Sequence, residues 1–496
     1  LGPAFNRNEQ AFFIHPFGSD RIHDHAAQNH TFHSPSGAHR MRLLVFLVLV
    51  LSGCHAFAPT SPEVEIPPQA YLVRAGEHEM AEEWWRELGS DDLNALVDEA
   101  LRSSPDIRTA LARLEQAKAA AQKTGSALWP TLGGSAEATR SWTRPQGQNQ
   151  IESDAYGLGL AASYELDLWG RVRALRQADT LEVMASRDDL RTAALTLGGE
   201  IAGAWISLCS TRQQLAALEE QQRTNAAILS SLELRFANSL TSALDVLQQR
   251  EAIAQTQTVI FPLKSEVVRL ENRINLLLGK APGSVNLTNA TALPKPMPLP
   301  DIGIPADLLS DRPDIRAAWQ RLLEAGWDLA AARADRMPAL RLTGNFEHNG
   351  GELSRIFDNW LANLAASLAA PIIDGGSRRA EVKRQEAIRQ ERLAAYEKTV
   401  FTALSEVDTA VNAVFKQIEL VQAVKAQREA AGAALTSARI RYQNGVIDYD
   451  TVLSLTLKLQ QIDRTSIREQ ASLLTLQTGL CRALGKGWRA SFPDAS

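Results

Sequence analysis

The chain of 496 residues is one unit written twice. "SPDIRTALARLEQA" from Ser104 returns as "RPDIRAAWQRLLEA" from Arg312, an offset of 208 residues. Pro130 of "ALWPTL" and Pro338 of "DRMPAL" keep that offset. Asp167 of "YELDLWGRVRA" aligns with Asp374 of "APIIDGGSRRA" at 207. "RFANSLTSALDVL" (235–247) aligns with "RYQNGVIDYDTVL" (441–453) at 206, as does "LLLGK" ending at Lys280 with "RALGK" ending at Lys486. Collinear matches whose offset drifts by two residues define a tandem repeat, and a repeat of this length constrains the fold more than composition does. The repeats span 91–280 and 305–487. The proline-rich segment 281–304 reads as an extended spacer between them, and 488–496 as a tail.

Each repeat reads helix, two strands, a very long helix, a turn and a helix. The first helix is expected over Asp91–Leu128, stopping at Trp129-Pro130 because proline disfavours helix before it. "TLGGSAEATRSW" and "AYGLGLAASYEL" then switch to a period of two. In the second, Tyr156, Leu158, Leu160, Ala162, Tyr164 and Leu166 share one face. "ALRLTGNFEHN" and "WLANLAASLAAP" alternate likewise in the second repeat. These four strands of about eleven residues match a tilted bilayer crossing. Trp142, Tyr156, Tyr164 and Trp360 fall near strand ends, where aromatic rings sit at a lipid–water boundary.

The long helices, expected from Arg171 to about Asn238 and from Ser377 to about Asn444, carry heptads. Apolar residues step by four and three from Leu190 through Leu208 and Leu215 to Leu218, and from Leu393 to Val421. Such a period means helix-on-helix packing, over ~100 Å at 1.5 Å per residue. Nothing after residue 54 approaches 18 consecutive apolar residues, so no spanning helix is expected. Transmembrane strands must close into a barrel of at least about eight. A chain with four must therefore oligomerise. Two copies give too narrow a lumen, whereas three give twelve strands.

The remaining features bound the chemistry. A net charge of −5 gives no case for a nucleic-acid partner. Cys54, Cys209 and Cys481 are too scattered for a disulfide framework or zinc site, and the latter two read as buried thiols. "MRLLVFLVLVLSGC" has a basic start, a short apolar core and small residues before Cys54. It reads as a signal peptide (41–53) ending in a lipobox, with Cys54 the lipidated residue and 54–90 a lipid-anchored tail. Residues 1–40 hold six of the nine histidines, but a signal peptide needs its basic start near the N-terminus. That segment is expected to be non-native or an over-extended start. Beyond Cys54 only His55, His78 and His348 remain, and no nucleophile–base or metal-ligand pattern accompanies them. No enzyme, metal or cofactor other than the lipid is expected.

The repeat, the lipobox, "SPDIR/RPDIR", "YELDLWGRVR", "PIIDGG" and the "RYQNG" turn together resemble the TolC-type outer-membrane efflux family. The closest resemblance is to its lipoprotein branch, the OprM/NodT-like outer-membrane factors of resistance–nodulation–division (RND) pumps, over residues 54–488. The resemblance implies a mixed α and β membrane protein, with four transmembrane strands per chain contributing to a trimeric 12-stranded β-barrel. A long α-helical coiled-coil tunnel would continue that barrel across the periplasm. It also implies a homotrimer in the outer membrane, touching outer-membrane lipid. The trimer would be the passive exit duct of a tripartite system, joined to an inner-membrane RND pump through a periplasmic adaptor and exporting small molecules such as drugs. A type I protein-secretion duct and a non-conducting coiled-coil scaffold are the alternatives. In such a tube the two turns are periplasmic tips. Arg235, Phe236, Asn238 and Asp245 mark one, and Arg441, Tyr442, Asn444 and Gly445 the other. Asp448 and Asp450 would form the constriction, or cap the following helix; Asp245 reads as a first-turn residue. Asp167 and Gly170, with Asp374, Gly375 and Gly376, are expected to turn the chain at the barrel–tunnel joint.

Overall fold

The structure, a computed structural model, describes residues 57–59, 81, 83–147, 149–301 and 312–485. The expected leader (1–40), signal segment (41–53), Cys54 and tail (488–496) lie outside the described residues. A 3-10 turn, Trp84–Leu88, leads into α1 (Asp91–Ser103) and α2 (Pro105–Ser126). Where one helix is expected over 91–128, the chain makes two. Ser104 leaves helical geometry with ψ 137°, its hydroxyl accepts from the Asp106 N–H, and Pro105 starts α2, where its missing N–H is no loss.

The first repeat continues as β1 (Thr131–Thr143), β2 (Ile151–Leu166), α3 (Arg171–Ala237) and α4 (Ala243–Leu277). The second comprises α5 (Pro313–Ala334), β3 (Ala339–Gly350), β4 (Trp360–Ala369), α6 (Ser377–Gln443) and α7 (Tyr449–Leu484). The long helices α3 and α6 have 67 residues each, ending within a residue of the sequence expectation. The spacer does not hang free: Gln477 accepts from the Met297 N–H at 3.0 Å and donates to its carbonyl at 2.7 Å.

The four strands form one antiparallel sheet in chain order. Their register sorts side chains by chemistry. One face carries Leu132, Leu160, Phe346, Leu364 and Leu368; the other carries Ser135, Glu137, Thr343, Asn345, Glu347 and Asn363. The apolar face is uncovered, with Leu364 87% and Leu132 73% exposed. Water does not tolerate such a face, but lipid does. Trp142, Trp360 and Phe346 gather toward the end of this face farthest from the helices, and Tyr164 lies at the near end. Charge on this face is confined to its far half, where Arg140 grips Asp154 through both oxygens at 2.6 and 2.7 Å and Glu152 lies opposite Trp142.

Below the sheet the helices form a wall. α2 and α4 pack along one flank of α3, α5 and α7 along the other, and α6 lies beyond α5 and α7. Since β1 follows α2 and β4 precedes α6, the free sheet edges and the free helix flanks fall on the same two sides. The heptad seams are buried as expected, except that Leu215, Leu393, Leu404, Ile418 and Val421 are only partly covered. α3 also buries residues outside its seam, such as Ala202, Ile206 and Cys209, because it has neighbours on both flanks. α6 has them on one, and Phe401 stays 54% exposed.

α3 contains an 18-residue window of mean hydropathy 1.2, enough by composition to cross a membrane, but 61% of that window is buried in the fold. Its apolar stretch thus serves the core, which lies mid-wall where α1, the spacer and the ends of α4 and α7 gather on Leu190–Cys209. Cys209 and Cys481 are free and buried, and burial pushes both thiols up to about 12.

Candidate functional site

Both tips reverse the chain by the same bonds. The Leu240 N–H donates to Arg235 O at 2.8 Å, and the Val446 N–H to Arg441 O at 2.9 Å. Asn238 and Asn444 cap the long helices, and Gly445 takes the left-handed conformation (φ 70°) that the reversal requires. Ser239 fills the equivalent place with φ 54°, less comfortably.

The two tips differ at the start of the next helix. In the first, Ser242 and Asp245 form a reciprocal capping box, so Asp245 is a first-turn residue as expected. Burial opposes ionisation of Asp245, but bonds from the Thr241 hydroxyl and from Ser242 outweigh it and hold the carboxyl below its ordinary range. Asp448 occupies the Ser242 position of the second tip, at the N-cap of α7, yet its side chain makes no capping bond. The capping alternative therefore holds for its place and fails for its hydrogen bond. An exposed carboxylate is left uncommitted where a helix end usually consumes one.

Within one chain the tips touch. The Arg235 guanidinium lies 5.4 Å from the centre of the Tyr442 ring, which in turn packs on Tyr449 at 5.8 Å. The buried Tyr449 hydroxyl donates to Gln249 Oε1 at 2.7 Å, and Gln248 Nε2 donates to Asp450 Oδ1 at 3.1 Å. Burial pushes the Tyr449 phenol up to about 12. Phe236 and Arg441 remain exposed. Sequence reasoning missed Gln248, Gln249 and Tyr449. The only trace was Tyr449 itself, an aromatic residue between two acids.

At the joint both aspartates turn the chain. Asp167 accepts from the Val172 and Arg173 N–H groups at 3.1 and 2.9 Å, reaching past Gly170 (φ 79°). Asp374 accepts from Gly376 and Arg378 at 2.9 and 3.1 Å, with Gly375 and Gly376 both left-handed. Those backbone donors, that of Arg378 foremost, hold the Asp374 carboxyl below its ordinary range.

Above mid-wall lies a charged cluster that sequence reasoning did not single out. Arg321 of α5 donates to Glu182 and Asp189 of α3, and those bonds, to Asp189 first, raise its pKa. One turn along, burial and then the charges of Glu182 and Asp328 push Glu324 up to about 7. A carboxyl raised from 4.5 in the folded state favours folding while protonated, and that contribution fades between about pH 4.5 and 7. Glu324→Gln is therefore expected to raise the thermal midpoint of helix loss at pH 8 and to leave it unchanged at pH 4.5. An equal rise at both values would rule out ionisation as the cause. Among the described residues no group of His, Cys, Asp and Glu could hold a metal ion.

A profile of the outer membrane efflux protein family matches residues 96–280 and 304–486. The chain is similar to the pyoverdine export outer membrane protein OpmQ of Pseudomonas putida, 31% identical over 471 residues, covering 91% of this chain and 99% of that one. It is 30% identical over 485 residues to the toluene efflux pump outer membrane protein TtgI of Pseudomonas putida, covering 90% and 98%. Among solved structures, the outer-membrane channel OprN superposes with a TM-score of 0.79 at 27% identity, covering 86% of this chain and 99% of that one. Strands with one lipid-compatible face above a wall of packed helices define an outer-membrane channel. The chain belongs to the outer membrane efflux protein family, and works in the outer membrane as the exit component of an efflux pump.

Proposed function

We propose that three copies of this chain close into a 12-stranded barrel above a continuous helical tunnel, anchored by lipid on Cys54. The observation that carries the duct is the sidedness of the free edges. β4 and α6 lie at one side of the chain, β1, α2 and α4 at the other, so one joint between copies serves barrel and wall together. Chain-order strands alternate in direction, so β4 of one copy meets β1 of the next antiparallel, as an even-numbered barrel demands. The groove of about 890 Å³ beside Phe401, between α6 and α7, fits a face that a neighbouring copy fills. Head-to-tail joints of this kind make rings.

The tunnel narrows at the tips, where three uncommitted Asp448 carboxylates, with Asp450 beside them, converge and favour cations over anions. A periplasmic adaptor links the tips to an RND pump, which selects the cargo. The cargo class is small organic molecules, since relatives are named for export of pyoverdine and efflux of toluene. The duct itself performs no chemical step. Purified protein in planar bilayers is expected to be trimeric by mass and to give small, cation-selective conductance steps. A trimer that never conducts, with its tips opened by substitution as described below, would sink the duct reading.

A further inference from the structure

We infer that a pocket at the barrel–tunnel joint is a binding site for the phosphate head group of an anionic glycerophospholipid. The cavity, of about 500 Å³, is bounded by Trp169, Arg173, Arg176 and Gln177 at the start of α3, by Trp327 of α5, and by Phe57. Three separate segments build it, and Phe57 and Trp327 pack with Ala174, Ala330 and Ala331 along one side.

The pocket opens outward. Arg171 donates to Glu165 at 2.8 Å, and Glu165 lies opposite Arg341 on the polar face of the sheet, which faces the lumen. At 3.6 residues per turn, Arg173, Arg176, Gln177 and Thr180 fall roughly 140–240° around α3 from Arg171. They face away from the lumen, just below the strands, at the inner boundary of the membrane. Phe57 follows Cys54 by three residues, a chain length of at most ~11 Å, so the pocket lies within reach of the lipid proposed on Cys54.

The lining has the chemistry of a head group. Indole rings settle where hydrocarbon meets water, and guanidinium groups bind phosphate through two parallel donors. α3 has no acidic residue in its first turn but places arginines at 171, 173 and 176, against the preference of its own dipole. Arg173 is held by Asp167 at 3.1 Å, whereas Arg176 has no ion pair among the described residues. Among the described residues the lining brings two guanidinium groups, Arg173 and Arg176, beside one carboxylate, Asp167, polar groups that an acyl chain alone would not satisfy.

The test is native mass spectrometry of the detergent-purified full chain with added phosphatidylglycerol, phosphatidylethanolamine or inorganic phosphate. The parent trimer is expected to retain phosphatidylglycerol in preference to phosphatidylethanolamine. Arg176→Gln is expected to lower its retention about five-fold, the worth of one arginine at an anionic surface. Trp327→Leu is expected to lower it too. Arg336→Gln, at an exposed arginine of the same joint outside the pocket, is expected to change nothing. The trimer mass in the same spectra reports that each variant has assembled. Retention by Arg176→Gln equal to the parent's, or an equal loss in Arg336→Gln, would overturn the site. Displacement of the lipid by inorganic phosphate at the same concentration would overturn the assignment to a lipid.

Discussion

Leu364→Arg is expected to abolish assembly in the outer membrane, while Leu361→Arg, three residues earlier in β4, is tolerated. Leu364 lies mid-strand on the apolar face, opposite Gly344, and is 87% exposed because only lipid can cover it. An arginine there costs about 2–4 kcal/mol near the bilayer midplane, and a ring of copies bears that cost in every member. Leu361 lies on the polar face opposite Glu347, so an arginine there gains a partner and stays in water. The yield of protease-resistant trimer from outer membranes reads the difference. The reverse order of the two variants would exchange the faces and undo the assignment of the lumen.

Removing both tip carboxylates, Asp448→Ala with Asp450→Ala, is expected to enlarge the single-channel conductance several-fold and to reduce cation selectivity. Two effects add. The proposed ring of fixed charge at the constriction disappears. Loss of the Gln248–Asp450 bond removes one of the contacts that join the two tips of each chain, beside the Tyr449–Gln249 bond and the Arg235–Tyr442 contact that remain. Asp448→Ser separates charge from folding, because it copies the first tip, where Ser242 caps its helix. That variant is expected to lose selectivity while gaining about 1 kcal/mol of helix stability. Unchanged selectivity in Asp448→Ser would mean that this carboxylate does not face the pore.

Much of this architecture is written locally. Pro130 and Pro338 mark where helices give way to strands, period-two alternation marks the faces, and the heptads mark one covered side of α3 and the covered side of α6. The break at Ser104 was not legible, for a concrete reason. Pro105 starts a helix, whereas Pro262 sits inside α4 without ending it, so proline alone does not settle which outcome applies. Ser104 decides it, since its hydroxyl can serve the new helix start and it is wholly buried in the core. The tip contacts were hidden by distance along the chain: Tyr449 and Gln249 are 200 residues apart, and neither signals the other. The uncommitted state of Asp448 was equally hidden, because an aspartate at an N-cap normally bonds there. The joint pocket needs residues from three segments, and no spacing rule joins Phe57, Trp169 and Trp327.

The duplication also has a consequence for symmetry. A ring of three doubled chains holds six related hairpins around its axis, so the tube is nearly six-fold, yet only three-fold where the repeats have diverged. At the tips the divergence is sharp: a self-satisfied Ser242–Asp245 end alternates with an open Asp448 end. Six identical acidic ends would crowd six charges onto one axis and repel one another. Alternation leaves three helix starts capped and three with an uncommitted carboxylate, a division closed to a true hexamer of single repeats.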